Sequence, residues 1–220
     1  MSTKSQLEPT TKSAVFSFGR MNPPTAGHKT MIENALTLTQ DKPSFDYFLF
    51  PSRSIDKQPK TKPLAPHRYR NPIPLPTKLA FLQEVLPQVN IIDDPEIKAP
   101  VDVIDWMIAR EYQAVYFAVG SDRVEEFQNR WLIYTHGRLQ FANVIEVGKR
   151  DSNSEGIAGM SSTAARSAAI DDDLVAFKKA TGWDDDLAKR LLDATRKGMG
   201  LDSGRNGQSV QDKTGIGIGR

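Results

Sequence analysis

Cysteine is absent from this chain, which excludes disulfides, thiolate nucleophiles and cysteine-ligated zinc or iron–sulfur centres. Long apolar runs are absent too. None approaches the ~18 residues of a membrane span, so no membrane partner is expected. A large charge of either sign is also missing: 29 Lys and Arg face 27 Asp and Glu, a formal net charge of +2. That balance excludes a strongly basic nucleic-acid coat protein, and any polyanion must be bound by a local patch. No internal repeat is visible, and Met1–Lys12 is polar, without the apolar core of a signal peptide. The expectation is a soluble, cytoplasmic protein. What remains is 220 residues, 39 % hydrophobic and 25 % charged, the profile of one globular domain with polar appendages.

Short apolar runs alternate with helix-period segments. Ala14–Phe18 reads as a buried strand, broken by Gly19-Arg20-Met21-Asn22-Pro23-Pro24, and Thr25 can cap a helix carrying Met31, Ile32, Ala35 and Leu36 on one face. Asp46–Phe50 is a second strand, which completes a βαβ unit and implies a parallel sheet with a right-handed crossover. Residues 51–76 hold half of the chain's 14 prolines together with Arg53, Lys57, Lys60, Lys62, Arg68 and Arg70. This is either a solvated loop or a substrate-facing one. Regular structure resumes with helices over Thr77–Val85 and Asp102–Glu111 and strands at Val89–Ile92, Ala114–Val119 and Phe141–Val147. A helix with Val124, Phe127 and Trp131 follows the Ala114 strand, and three helical pieces lie between Ser162 and Arg196. The expected organisation is an α/β domain over 13–170 after an N-terminal tail (1–12), a small C-terminal helical extension (171–197) and a Gly-rich flexible tail (198–220).

Ligands of open α/β sheets bind beyond the carboxyl ends of the strands, where loops enter helix N-termini. Three such junctions carry unusual residues. With Thr25 as N-cap, Gly27 and His28 fall in the first helical turn, whose unpaired N–H groups and dipole attract anions. Gly27 lets a ligand approach the backbone, His28 can donate a ring N–H to a phosphate, and Arg20 adds a fixed charge. In Gly159-Met160-Ser161-Ser162-Thr163-Ala164-Ala165-Arg166, Ser162 as N-cap would return Arg166 to the same face, so hydroxyls and a guanidinium converge on one point. After the Ala114–Val119 strand, Gly120-Ser121-Asp122 leads into a helix, with Asp122 and Glu125 reading as a capping box and Asp122 as a candidate ribose contact.

GRMNPPTAGH together with MSSTAAR resembles the nucleotidylyltransferases of the HxGH superfamily, in their (H/T)xGH form with an ISSTxxR second signature. The Asn-Pro-Pro-Thr lead-in looks most like nicotinamide or nicotinate mononucleotide adenylyltransferases, and the Phe-Asp-Gly lead-in of the flavin branch is absent. AVGSDRVEEF resembles the family's third landmark, and the landmarks cover roughly residues 13–180. NPIPLPTKLAFL, VGSDRVEEF and the segment after Arg166 look most like divergent homologues encoded by tailed phages. The resemblance implies a Rossmann-like parallel sheet with helices on both faces, and transfer of a nucleoside monophosphate from ATP, with Mg²⁺, onto a small phosphate-bearing acceptor. It implies that Thr25 and His28 contact the triphosphate, with Gly19, Asn22 and Gly27 in the same motif. Ser161, Ser162, Thr163 and Arg166 would hold the β and γ phosphates, and Gly120 and Asp122 would line the nucleoside. Arg20, Arg53 and Lys57 would meet acceptor or phosphate. Trp131 and Trp106 are candidates for stacking on the base, with a place in the core the favoured reading of each. No metal ligands of the protein's own are expected. The sequence departs from the pattern at Thr25, which stands for the first His, at Ala165, and in the longer prolyl insertion.

Two other readings stay open. One keeps the reaction and changes the acceptor, to pantetheine phosphate for example, or transfers a cytidylyl group. The other is a phage structural or assembly protein that reuses the fold as a docking module, with the Gly-rich tail meeting a protein partner and the chain virion-associated. A homo-oligomer is compatible with each.

Overall fold

The computed structural model describes residues 12–56, 68–148 and 160–201. The N-terminal tail up to residue 11, the middle of the prolyl loop with Lys57, and the Gly-rich tail from 202 lie outside the described residues.

Five strands form one parallel sheet: β1 (Ser13–Gly19), β2 (Phe45–Pro51), β3 (Asn90–Ile91), β4 (Ala114–Gly120) and β5 (Phe141–Gly148), in the order β3-β2-β1-β4-β5. Around them lie α1 (Ala26–Gln40), α2 (Leu75–Val85), α3 (Asp102–Ile108), α4 (Val124–Arg130), α5 (Ser162–Ile170), α6 (Leu174–Thr181) and α7 (Asp185–Gly198). This is the expected Rossmann-like α/β architecture. β1 and β4 are near-continuous apolar runs because both their faces are covered, as parallel strands require.

Side-chain alternation along the strands sorts the core into two layers. Val15, Tyr47, Leu49, Tyr116 and Ala118 face α1, α2 and the C-terminal helices, meeting Ile32, Phe81, Ala165, Phe177 and Leu191. Ala14, Phe16, Phe50, Val115 and Phe117 face the other way, onto Val103, Ile104 and Met107 of α3 and onto Trp131. There Phe16 and Phe117 stack with ring centroids 4.5 Å apart. The C-terminal helices therefore share the main core, and Trp183, Leu191 and Leu192 are as buried as the strand residues they serve.

Pairing places β1 between β2 and β4, so the strand order reverses there. The crevice beyond the carboxyl ends of β1 and β4 is the topological switch point. Several boundaries move: α2 begins at Leu75 rather than Thr77, α4 ends at Arg130, short of Trp131, and α3 stops at Ile108 rather than Glu111, because Glu111 takes φ 64° and the Tyr112 N–H turns back to the Met107 carbonyl.

Candidate functional site

A cleft of about 580 Å³ opens at that switch point. Gly19, Arg20, Asn22, Thr25, Gly27 and His28 line it from the β1–α1 junction, Gly120 and Asp122 from the end of β4, and Ser162, Thr163 and Arg166 from α5. All three landmarks thus meet in one concavity, although Arg20 and Arg166 are far apart in sequence.

The first junction folds as its residues demand. Thr25 is extended (φ −129°, ψ 160°) and caps α1, its Oγ1 accepting from the His28 N–H at 3.3 Å. The His28 ring closes a reciprocal box: Nδ1 accepts from the Thr25 backbone N–H at 3.2 Å and lies 2.7 Å from Thr25 Oγ1. With Nδ1 committed as an acceptor, the proton of the neutral ring resides on Nε2. Thr25 is buried, and its hydroxyl is engaged in the cap.

Asn22 also works inward. Its Nδ2 donates to the Ile73 carbonyl and its Oδ1 accepts from the Ile73 N–H, both at 2.9 Å. The amide thereby fastens the segment before α2 to the loop before α1, and these side-chain groups are spent on the scaffold. Lys78 of α2 makes a second fastening. Only 1 % exposed, its ammonium donates to the Arg20 carbonyl at 2.9 Å and the Ser52 carbonyl at 2.6 Å. Burial pulls its pKa down to about 8.

The second landmark is shifted by one residue from expectation. Ser161, not Ser162, is the N-cap of α5: it is extended, and its Oγ accepts from the Ala164 N–H at 3.4 Å. Ser161 does not line the cleft. Ser162 opens the helix and its Oγ donates to the Pro23 carbonyl at 2.8 Å. Arg166 donates through Nη1 to the Asn22 carbonyl (2.8 Å) and through Nη2 to Thr163 Oγ1 (2.9 Å). Its Nε is buried with no partner among the described residues. Burial, then the charges of Arg20 and Arg70, push the Arg166 guanidinium below its ordinary range, against the opposing pull of Asp56. Arg20, Arg70 and Arg166 line the same cleft, and like charges gathered there favour a bound anion.

At the third junction the Asp122–Glu125 capping box does not form. β4 runs into a single 3₁₀ turn, Ser121–Arg123, and α4 then starts from Arg123 with no side-chain cap. A Cβ at Gly120 would lie 2.9 Å from Asp122 Oδ1, so a side chain there would displace that carboxylate. The carboxylate is folded back over the strand end.

Other candidate contacts lie elsewhere, and both candidate tryptophans pack with the core, the reading favoured for them. Trp131 is core, its Nε1 donating to the Pro100 carbonyl at 3.0 Å. Trp106 packs edge-on against Phe48 and Phe50. Neither indole lines the cleft. The aromatic rings that do are Phe18 and Phe127, with the Arg123 guanidinium 5.0 Å from the Phe127 centroid. Arg53 is ion-paired with Asp93 and lies outside the cleft lining. Arg70 lines the cleft instead, its backbone N–H and that of Asn71 donating to Asp56 Oδ2 at 2.6 and 2.7 Å. Six basic residues in one prolyl stretch gave no means of choosing Arg70, and Lys78 carried no signal beyond its place on the apolar side of α2.

Among the described residues no group of three acidic or histidine side chains is placed to hold a metal ion, and no helix is long and apolar enough to cross a membrane. In comparison with known proteins, the sequence model of the Cytidylyltransferase-like family matches residues 16–168, well over half of the chain and all three landmarks. No curated protein matches. Among 26 solved chains that do is one from Vibrio parahaemolyticus, described as a candidate nicotinate-nucleotide adenylyltransferase. It is 19 % identical with a TM-score of 0.49, covering 82 % of this chain and 99 % of that one. With its parallel sheet, its cleft at the switch point and a family match that spans both, this chain belongs to the Cytidylyltransferase-like family of the nucleotidylyltransferase superfamily.

Proposed function

We propose that the protein transfers AMP from ATP to the phosphate of nicotinamide or nicotinate mononucleotide, releasing pyrophosphate. The observation that carries this reading is the meeting, in one cleft, of two side-chain-capped helix N-termini, those of α1 and α5, with Arg20, Arg70 and Arg166. Helix N-termini offer unpaired N–H groups and positive dipole ends, and the arginines add fixed charge, which together suit a triphosphate. The choice of adenine and of a nicotinamide-type acceptor rests on the likeness of GRMNPPTAGH to that branch of the superfamily.

In this reading an acceptor phosphate oxygen attacks the α-phosphorus in line. The bond from that phosphorus to the oxygen bridging to the β-phosphate breaks, and pyrophosphate departs with the electron pair. A phosphate dianion needs no base to activate it. The work left to the protein is positioning and charge stabilisation. His28 donates from Nε2 to a non-bridging α-oxygen as charge builds there. Ser162 through its backbone N–H at the start of α5, Thr163 and Arg166 receive the β and γ phosphates, Gly120 and Asp122 border the nucleoside, and Arg20 with Arg70 meets the acceptor. Magnesium bound to the triphosphate would supply further charge neutralisation, with Asp122 the one carboxylate among the described residues that lines the cleft.

The test is pyrophosphate release from each of the four ribonucleoside triphosphates with nicotinamide or nicotinate mononucleotide as acceptor. Release specific to ATP is expected. Release from CTP, or only with a different phosphorylated acceptor, would replace the substrates and keep the reaction. Binding without release to any acceptor would support a docking module.

A further inference from the structure

Residues 21–25, which lead into α1, are all buried, and Pro23 and Pro24 have no N–H. The polar backbone groups of this stretch are therefore mostly carbonyls, and buried carbonyls require donors. Three successive ones are satisfied by side chains from the far end of the chain: Asn22 by Arg166, Pro23 by Ser162, and Pro24 by the indole Nε1–H of Trp183 at 3.1 Å. The donors are 139 to 159 residues away in sequence.

The Trp183 contact differs from the other two in what it touches next. The Pro24 carbonyl and the Thr25 N–H belong to the same planar peptide group. The carbonyl end accepts from Trp183, and the N–H end donates to His28 Nδ1 at 3.2 Å. A continuous line runs from the indole through one rigid peptide to the imidazole. Because the peptide cannot bend, fixing its oxygen fixes the direction of its N–H. A donor on the oxygen also polarises the amide and strengthens the N–H as a donor. The indole is itself held, with Trp183 7 % exposed and edge-on to Phe81 at 5.4 Å. Trp183 lies beyond residue 168, where the family match ends.

We propose that Trp183 is a positioning residue for His28, holding the 24–25 peptide so that the imidazole keeps its orientation and its Nε2-protonated form. The proposal rests on the role given to His28 above where it concerns turnover, and on hydrogen bonding alone where it concerns the ring. Trp183 touches no substrate.

The test is ¹⁵N NMR of the His28 ring in the full chain, with pyrophosphate release measured in parallel. In wild type the neutral ring is expected to give an Nδ1 of acceptor type and a protonated Nε2, and the Trp183 indole proton is expected to resist exchange. A wild-type ring protonated on Nδ1 would overturn the proposal whether or not any variant folds. Trp183→Phe keeps an aromatic ring and removes the donor. It should shift the His28 nitrogens and lower kcat about tenfold or more, with KM for Mg-ATP within about twofold. Phe81→Leu loosens the same packing and leaves the indole N–H in place, so it should lower Tm without moving the His28 shifts or kcat. Unchanged His28 shifts in Trp183→Phe, or equal effects of the two variants, would reduce Trp183 to packing. If wild type and Trp183→Phe are both inactive while the ring shifts differ as expected, the transfer reading fails and the positioning stands.

Discussion

A buried ammonium is costly unless acceptors meet it, and Lys78 has two backbone carbonyls, from Arg20 and Ser52. Its folded pKa of about 8 lies below a lysine's ordinary 10.5. Below pH 8 both folded and unfolded chains carry the proton, and the folded one bears the whole cost of the buried charge. Between pH 8 and 10.5 the unfolded chain binds more protons, so stability from this group rises with pH, by at most about 1.4 kcal/mol per pH unit. Wild type measured against Lys78→Met by chemical denaturation should therefore gain relative stability across that window. A flat difference would show that the carbonyls compensate the ammonium fully. At His28 two effects separate. His28→Ala loses the donor to the α-phosphate, expected to slow transfer on the order of 10²–10³-fold. It also opens half of the capping box, which should cost only about 1 kcal/mol. A rate loss with a Tm shift of about 2–4 °C is the predicted pair; a large Tm loss with an intact rate would assign His28 to the cap alone.

At the scale of elements, the C-terminal helices set the geometry of the site from behind. Gly182 ends α6 at φ 74°, and a Cβ there would lie 2.1 Å from Met160 Cε. The Ser161 N–H donates to the Ala180 carbonyl, so the end of α6 fixes the start of α5. Gly182→Ala should cost at least about 1–2 kcal/mol from the left-handed backbone alone, measurable by denaturant titration, and should weaken Mg-ATP binding through the displaced α5 terminus. Intact binding in a destabilised variant would uncouple the two. The elements were largely readable from hydrophobic period, and β1, β4 and α1 stood out because buried parallel strands and a one-faced helix write their pattern locally. Caps were less readable. Ser161 and Ser162 are both good N-caps by type, and only the tertiary bond from Ser162 to Pro23 decides between them. Asp122 and Glu125 had the spacing of a capping box, but the 3₁₀ turn after Gly120 takes the place where the box would start.

For the molecule as a whole, α5, α6 and α7 share one core cluster with β1 and β2, so the chain should unfold in a single calorimetric transition. A chain truncated after Ile170 should lack one, having lost Phe177, Trp183, Leu191 and Leu192. Two separate transitions in the full chain would contradict the shared core. The cleft's general position was legible, because landmarks on β1, β4 and α5 converge wherever a parallel sheet reverses order. Its fine lining was not. Arg70 and Phe127 face the cleft, while Trp131 and Arg53 do not, through choices of side-chain direction that residue type does not record. The central claim is that this cleft seats a nucleoside triphosphate at His28, and calorimetric titration of Mg-ATP into wild type and His28→Ala tests it most directly. Saturable binding at one site per chain, weakened by about tenfold or more in the variant, is predicted; no binding to wild type, or the same affinity in both, would contradict it.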